Sequence, residues 1–137
     1  MEKAQLSEKL AQVANRYGIR LALLFGSAVS GRMHDRSDLD VAILFNASDL
    51  SFGQLVELQH ELQTVAGDMK VDLSLLNRAD PLFLKRITES CSLLYGDERD
   101  LQRLRIYAFR RYQDHRRFLK MERECARQFI REVGGPS

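Results

Sequence analysis

The 137-residue chain has no tryptophan, only two prolines and only two cysteines. Cys91 and Cys125 are too few and too widely spaced for a disulfide framework or a zinc site, so both are expected to be reduced and mostly buried. No run of about 18 uncharged apolar residues exists, and the opening MEKAQLSEKL lacks the apolar centre of a signal peptide. Neither a membrane span nor secretion is therefore expected, and the cytoplasm is the expected location. Internal repeats and low-complexity stretches are also missing. What is present is 45% apolar and 29% charged residues, enough to bury one core. The expectation is a single domain over residues 1–137, with a core at about 18–96 and a final helix at about 98–132.

The net charge of +2 hides a split along the chain. Residues 1–100 carry 11 Lys or Arg against 15 Asp or Glu, whereas 101–137 carry 10 against 4. So basic a terminal quarter suits an acidic partner, nucleic acid or nucleotide phosphates, and an arginine-rich solvated helix is the plainer account.

Apolar spacing predicts alternating elements. Leu6, Leu10, Val13 and Ala14 recur at helical intervals over 3–16, and Gly18 follows as a stop. RLALLF (20–25) and LDVAILF (39–45) are short apolar runs of the kind buried on both faces, joined either as a hairpin or by a crossover. Asp49 or Ser51 is positioned to cap a helix over 51–66 that Gly67 ends. KVDLSLL (70–76) alternates as a third strand. Asn77, Asp80 and Pro81 open a helix to about Glu89, SLLY (92–95) reads as an edge strand, and Gly96-Asp97 leads into a long helix over about 98–132. The order is that of a mixed α/β (α+β) domain with a small central sheet flanked by helices.

The polar residues stand at particular places on this plan. Gly26-Ser27 falls at the end of the first strand, where open sheets bind ligands and where a glycine lets a phosphate approach the backbone. Alone, such a dipeptide is most often only a turn. Asp38 and Asp40, two residues apart, share one face of the second strand, and their mutual repulsion calls for a cation. Asp72 interrupts an otherwise apolar strand and is the third candidate carboxylate. Hard oxygen donors in this number suit Mg²⁺, and three aspartates on two strands would hold two ions for in-line displacement at phosphorus. Singly, each acid has a structural account: Asp38 beside Arg36, Asp40 at an exposed edge, Asp72 opposite Lys70 or Arg78. Jointly with the Gly-Ser turn, the metal reading is favoured.

Gly26-Ser27, ten residues and Asp38-Leu39-Asp40 reproduce the G-S-x10-D-x-D signature of the DNA polymerase β-like nucleotidyltransferases, which the chain resembles over about residues 20–76. Its size is similar to that of the minimal nucleotidyltransferases, the MNT proteins. The resemblance implies the polymerase β-like fold, with Gly26 and Ser27 positioning the triphosphate of ATP. It also implies that Asp38 and Asp40 bind both Mg²⁺ ions and that Asp72 completes the catalytic metal site and helps activate the acceptor hydroxyl. The chain departs from many minimal members at Ser30, before Gly31, where they carry an arginine; Arg32, His34 and Arg36 are the nearby cations.

MNT proteins pair with HEPN toxins, so the resemblance implies an antitoxin that moves AMP from ATP to a tyrosine of the HEPN ribonuclease, in a homo-oligomer or a hetero-oligomer with the toxin. Two rivals stand beside it: a small-molecule, antibiotic-type nucleotidyltransferase, and an antitoxin that acts by binding without catalysis. Nucleic-acid binding through the last helix is a lesser alternative. That helix shows two apolar stripes. Leu101, Leu104, Ala108, Tyr112, His115 and Leu119 form one and Ile106, Phe109, Phe118, Met121, Cys125 and Ile130 the other; one stripe can cover the sheet, and the other, flanked by Arg103, Arg110, Arg117 and Arg127, is left for a partner or a symmetry mate.

Overall fold

The computed structural model describes residues 2–26, 38–46 and 50–134. Its elements in chain order are helix α1 (Glu2–Tyr17), strands β1 (Ile19–Phe25) and β2 (Leu39–Phe45), helix α2 (Phe52–Ala66), strand β3 (Val71–Leu75), a 3-10 turn at Leu76–Arg78, helix α3 (Pro81–Glu89), strand β4 (Cys91–Tyr95) and helix α4 (Glu98–Val133).

Local chemistry accounts for most boundaries. Ser51 caps α2 in a reciprocal capping box with Gln54, and Asp80 accepts from the Phe83 N–H to cap α3, whose first residue is Pro81. Asp97 caps α4 in the same way through Arg99, leaving Glu98 and Asp100 in a first turn that favours negative charge. Of the two residues positioned to cap α2, Asp49 lies outside the described residues.

The four strands form one sheet in the order β3-β2-β1-β4. The open choice between hairpin and crossover resolves as antiparallel pairing of β1 with β2, while β2 and β3 run parallel, with α2 as the crossover between them. Side-chain alternation then sorts the core into two layers. Ala22, Leu24, Leu39, Val41, Ile43 and Val71 face α1 and α2, whereas Leu21, Leu23, Ala42 and Leu76 face α3 and α4. Both faces of the central strands are covered, which is why β1 and β2 read as continuous apolar runs.

The final helix departs from expectation. Leu101, Leu104 and Ala108 are buried against the sheet, but Tyr112 and His115 are only half-buried and Leu119 is exposed. The physical reason is length: 36 residues rise about 54 Å, roughly three times the span of a five-residue strand, so the helix outruns the sheet. Cys91 is half-buried and Cys125, on the overhanging part, is exposed, against the expectation that both are mostly buried. Among the described residues, no helix is long and apolar enough to cross a membrane.

Candidate functional site

The sheet register assembles the site. Phe25, the last residue of β1, lies opposite Asp40 on β2 and opposite Cys91 on β4, and Asp40 lies opposite Asp72 on β3. Residues directly opposite share a face, so Cys91, Phe25, Asp40 and Asp72 form one row across all four strands, facing the α3/α4 side. The parallel pairing sets the two residues side by side on neighbouring strands, whose backbones lie about 4.8 Å apart. Asp38 precedes Asp40 by two residues, immediately before β2, and is exposed, as is Asp72; Asp40 is half-buried.

Gly26 closes one side of this row. Its φ of +79° belongs to the left-handed region that glycine occupies without strain. A Cβ built there would collide with the Asp40 Oδ2 and stand 3.2 Å from the Asp40 Cγ. The position therefore requires glycine twice over, once for backbone conformation and once to leave room for the Asp40 carboxylate. The sequence reading assigned Gly26 to the phosphates; its contact with Asp40 was not legible there.

The electrostatics follow from the crowding. Burial raises the Asp40 pKa above the ordinary carboxylate value, and the charges of Asp72 and Asp38 raise it further. Asp40 thus senses both of the other acids. Among the described residues, however, no three His, Cys, Asp or Glu side chains converge as a ready-made metal cage. Like-charged carboxylates have every reason to turn apart. The donor set fits a hard divalent cation all the same: Asp40 and Asp72 present carboxylates in register on adjacent strands, and the half-buried Asp40 already resists holding its charge without an opposite one.

The other predicted residues divide cleanly. Gly26, Asp38, Asp40 and Asp72 come to one end of the sheet, on one face. Ser27 lies outside the described residues, with Ser30, Gly31, Arg32, His34 and Arg36. An apolar neighbour that the sequence did not announce is Phe83, in the first turn of α3, which meets the Phe25 ring edge-on at 5.9 Å between centroids. It brings α3 over the carboxylate end of the sheet. The Asp80 cap and Pro81 predicted a helix start here, but only the fold shows what that turn covers.

Comparison with known proteins places this arrangement. The family model described as Polymerase beta, Nucleotidyltransferase matches residues 8–100, more than half of the chain. A Methanocaldococcus jannaschii protein that bears the provisional name protein adenylyltransferase MJ0435 is 30% identical over 83 residues, 61% of this chain and 87% of that one. Among solved structures, a chain from a crystal structure of a toxin-antitoxin with AMP-PNP is 25% identical, with a TM-score of 0.70 over 90% of this chain and 97% of its own. A chain from the complex of a tri-AMPylated Shewanella oneidensis HEPN toxin with an MNT antitoxin shares the fold at 22% identity, with a TM-score of 0.66 over 95% of this chain and 98% of its own. The chain therefore belongs to the polymerase beta nucleotidyltransferase family.

Proposed function

We propose that this chain, acting as one nucleotidyltransferase domain, is the antitoxin of a HEPN/MNT pair: a protein adenylyltransferase that moves AMP from ATP to a tyrosine hydroxyl of a HEPN ribonuclease toxin. The observation that carries the chemistry is the register of Asp40 with Asp72 beside a glycine that makes room for the Asp40 carboxylate. The relatives support the substrates, since one is named for protein adenylylation, one was solved with AMP-PNP and one with an AMPylated HEPN toxin. We place the reaction in the cytoplasm, where ATP is supplied.

In this reading Asp38, Asp40 and Asp72 would hold two Mg²⁺ ions, which would supply charge neutralisation at the triphosphate and a lowered pKa at the acceptor hydroxyl. The work of the chain itself is positional. Gly26 and Ser27 seat the triphosphate against the end of β1, and Asp38 and Asp40 fix the α-phosphate end toward β3. Asp72, on the adjacent strand, faces the acceptor and takes the proton of its hydroxyl. The tyrosine oxygen then bonds to the α-phosphorus while the bond from that phosphorus to the bridging oxygen breaks, and pyrophosphate leaves. The enzyme forms no covalent intermediate, because catalysis rests on alignment and charge.

The test is intact-mass spectrometry of the chain with ATP, Mg²⁺ and the HEPN-type protein encoded in the neighbouring reading frame. The partner should gain about 329 Da per AMP, the mass of one adenylyl group replacing a hydroxyl proton. Absence of any gain on either protein would remove the transferase reading. A gain on an added aminoglycoside-type small molecule instead of the protein would establish the antibiotic-modifying rival.

A further inference from the structure

Among the described residues, the overhanging part of α4 stands apart: every residue from Arg116 to Gly134 is exposed. The helix enters beside the start of β1, where the Arg20 guanidinium hydrogen-bonds Asp100 at 3.1 Å. It reaches the carboxylate row at Arg105, whose Nε donates to the Thr88 carbonyl at 3.0 Å and whose Nη2 lies 4.0 Å from the Cys91 Sγ. Cys91 is the β4 member of that row. Everything after Ala108, the last residue of the helix buried against the sheet, therefore projects beyond the end of the sheet that carries Asp38, Asp40 and Asp72.

The projecting helix is two-sided. Arg116, Lys120, Arg123, Arg127 and Arg131 recur at spacings of four, three, four and four residues and so form one stripe. With Leu82 of α3, the first four of these cations line an open concavity of about 760 Å³, together with Tyr112 and Leu119. Leu82 adjoins Phe83, whose ring rests on Phe25 in the carboxylate row, so the concavity opens at the same end as the site. On another side Phe118, Met121, Cys125, Phe129 and Val133 form an apolar seam, with Phe118 56%, Met121 63% and Phe129 63% exposed.

We infer that the basic concavity between α4 and Leu82 is the docking surface for an acidic surface of the protein acceptor, holding that acceptor beside the carboxylates. The inference rests on the proposal above that the acceptor is a protein. Charge complementarity selects the occupant. Five cations, the four named above and Arg117, line the concavity against one acid, Glu124, while residues 1–100 of this chain are net acidic, so the catalytic end by itself would repel an acidic partner. A basic arm projecting from that end reverses the local field and steers such a partner to it. Arginine, tyrosine and leucine side chains around the charges supply apolar contact of the kind protein interfaces use, where a polyanion track would need only the charges.

The experiment compares the wild-type chain with the variant R116E/K120E/R123E/R127E, all at exposed positions, and with the milder R123A/R127A in case four reversals perturb the helix. Affinity for the HEPN-type protein of the neighbouring reading frame is measured directly, together with KM and kcat for AMP transfer, Mg·ATP affinity and helical circular dichroism. The expected result is at least about 30-fold weaker partner affinity and an equally raised KM for the charge reversal, the equivalent of one lost hot spot. The alanine pair should give a smaller rise, with Mg·ATP affinity and helicity unchanged in both. Wild-type affinity for the HEPN-type protein in both variants overturns the inference. So does a loss confined to a single-stranded RNA oligonucleotide, which would make the surface a nucleic-acid track, or a loss confined to self-association in sedimentation. If the wild-type chain binds the HEPN-type protein through these residues yet transfers no AMP, the docking surface stands and the transferase proposal falls.

Discussion

Asp40 and Phe45, five positions apart toward opposite ends of β2, meet opposite demands. At Phe45 the backbone is clasped by the side chain of Asn77, which accepts from the Phe45 N–H and donates to the Phe45 carbonyl, both at 2.9 Å, while the Asn46 N–H reaches the Gly18 carbonyl at 2.8 Å. Both Phe45 backbone groups thus have partners, and the Phe45 side chain is buried. At Asp40 the neighbours are two more acids and a glycine with no side chain, and the carboxyl is pushed toward its protonated form. One strand thus carries satisfied hydrogen bonds at one end and stored repulsion at the other. Stability is surrendered where charge must later be met by something the chain does not itself supply.

The largest expected effect comes from inverting that contrast. Asp40→Asn should lower AMP transfer at least about 1,000-fold, as expected for loss of a group that organises charge at phosphorus, yet raise the melting temperature of the metal-free protein; a lower melting temperature would contradict the repulsion described here. Next is Gly26→Ala, which forces a β-carbon into the Asp40 carboxylate at a positive φ. It should cost about 1–2 kcal/mol of stability and reduce transfer by at least about tenfold, measured by chemical denaturation and by single-turnover kinetics.

At the opposite end, Asn77→Ala should cost about 1 kcal/mol through two lost hydrogen bonds while leaving kcat unchanged. A fall in kcat would show that the two ends are not independent.

The smallest effect is a pH dependence. Because the folded-state pKa of Asp40 is raised, the stability linked to its proton is present in full below the ordinary value of 3.8 and is lost as pH rises through the raised value. Glu61 and Asp100 behave in the opposite sense. Their pKa values are lowered by Arg16 and Arg20, so their contribution is present above the ordinary carboxylate value and fades as pH falls through the lowered one. Only the difference between wild type and Asp40→Asn isolates the first effect. In chelator, that difference should favour the variant at pH 7 and shrink on acidification.

The sequence carried the local features well because caps and periods are local. Ser51, Asp80 and Asp97 stand where side-chain caps stand, and the strand at 92–95 became Cys91–Tyr95 with one residue added. Grouping Asp38 with Asp40 needed only strand alternation, and Asp72 was picked out as an acid interrupting an apolar strand, but that it stands directly opposite Asp40 is visible only in the parallel register. The use of α4 was misjudged because helical periodicity marks a face without saying whether a sheet lies under it; beyond Ala108 the sheet has ended. Phe83 escaped notice because a phenylalanine in a first turn has no distinguishing spacing, and its meaning comes only from Phe25, 58 positions earlier in the chain.

The parallel pairing of β2 with β3 has a consequence for how the molecule comes into being. Asp40 and Asp72 are separated by the whole of α2, so neither a hairpin nor any shorter fragment can bring them together. During synthesis Asp38 and Asp40 leave the ribosome first, and the pair closes only when the crossover has docked, a non-local step that is slow because its chain entropy is lost before its contacts form. On the mechanism proposed above, catalytic competence is thereby tied to completed folding, since a partly made chain holds Asp40 and Asp72 apart.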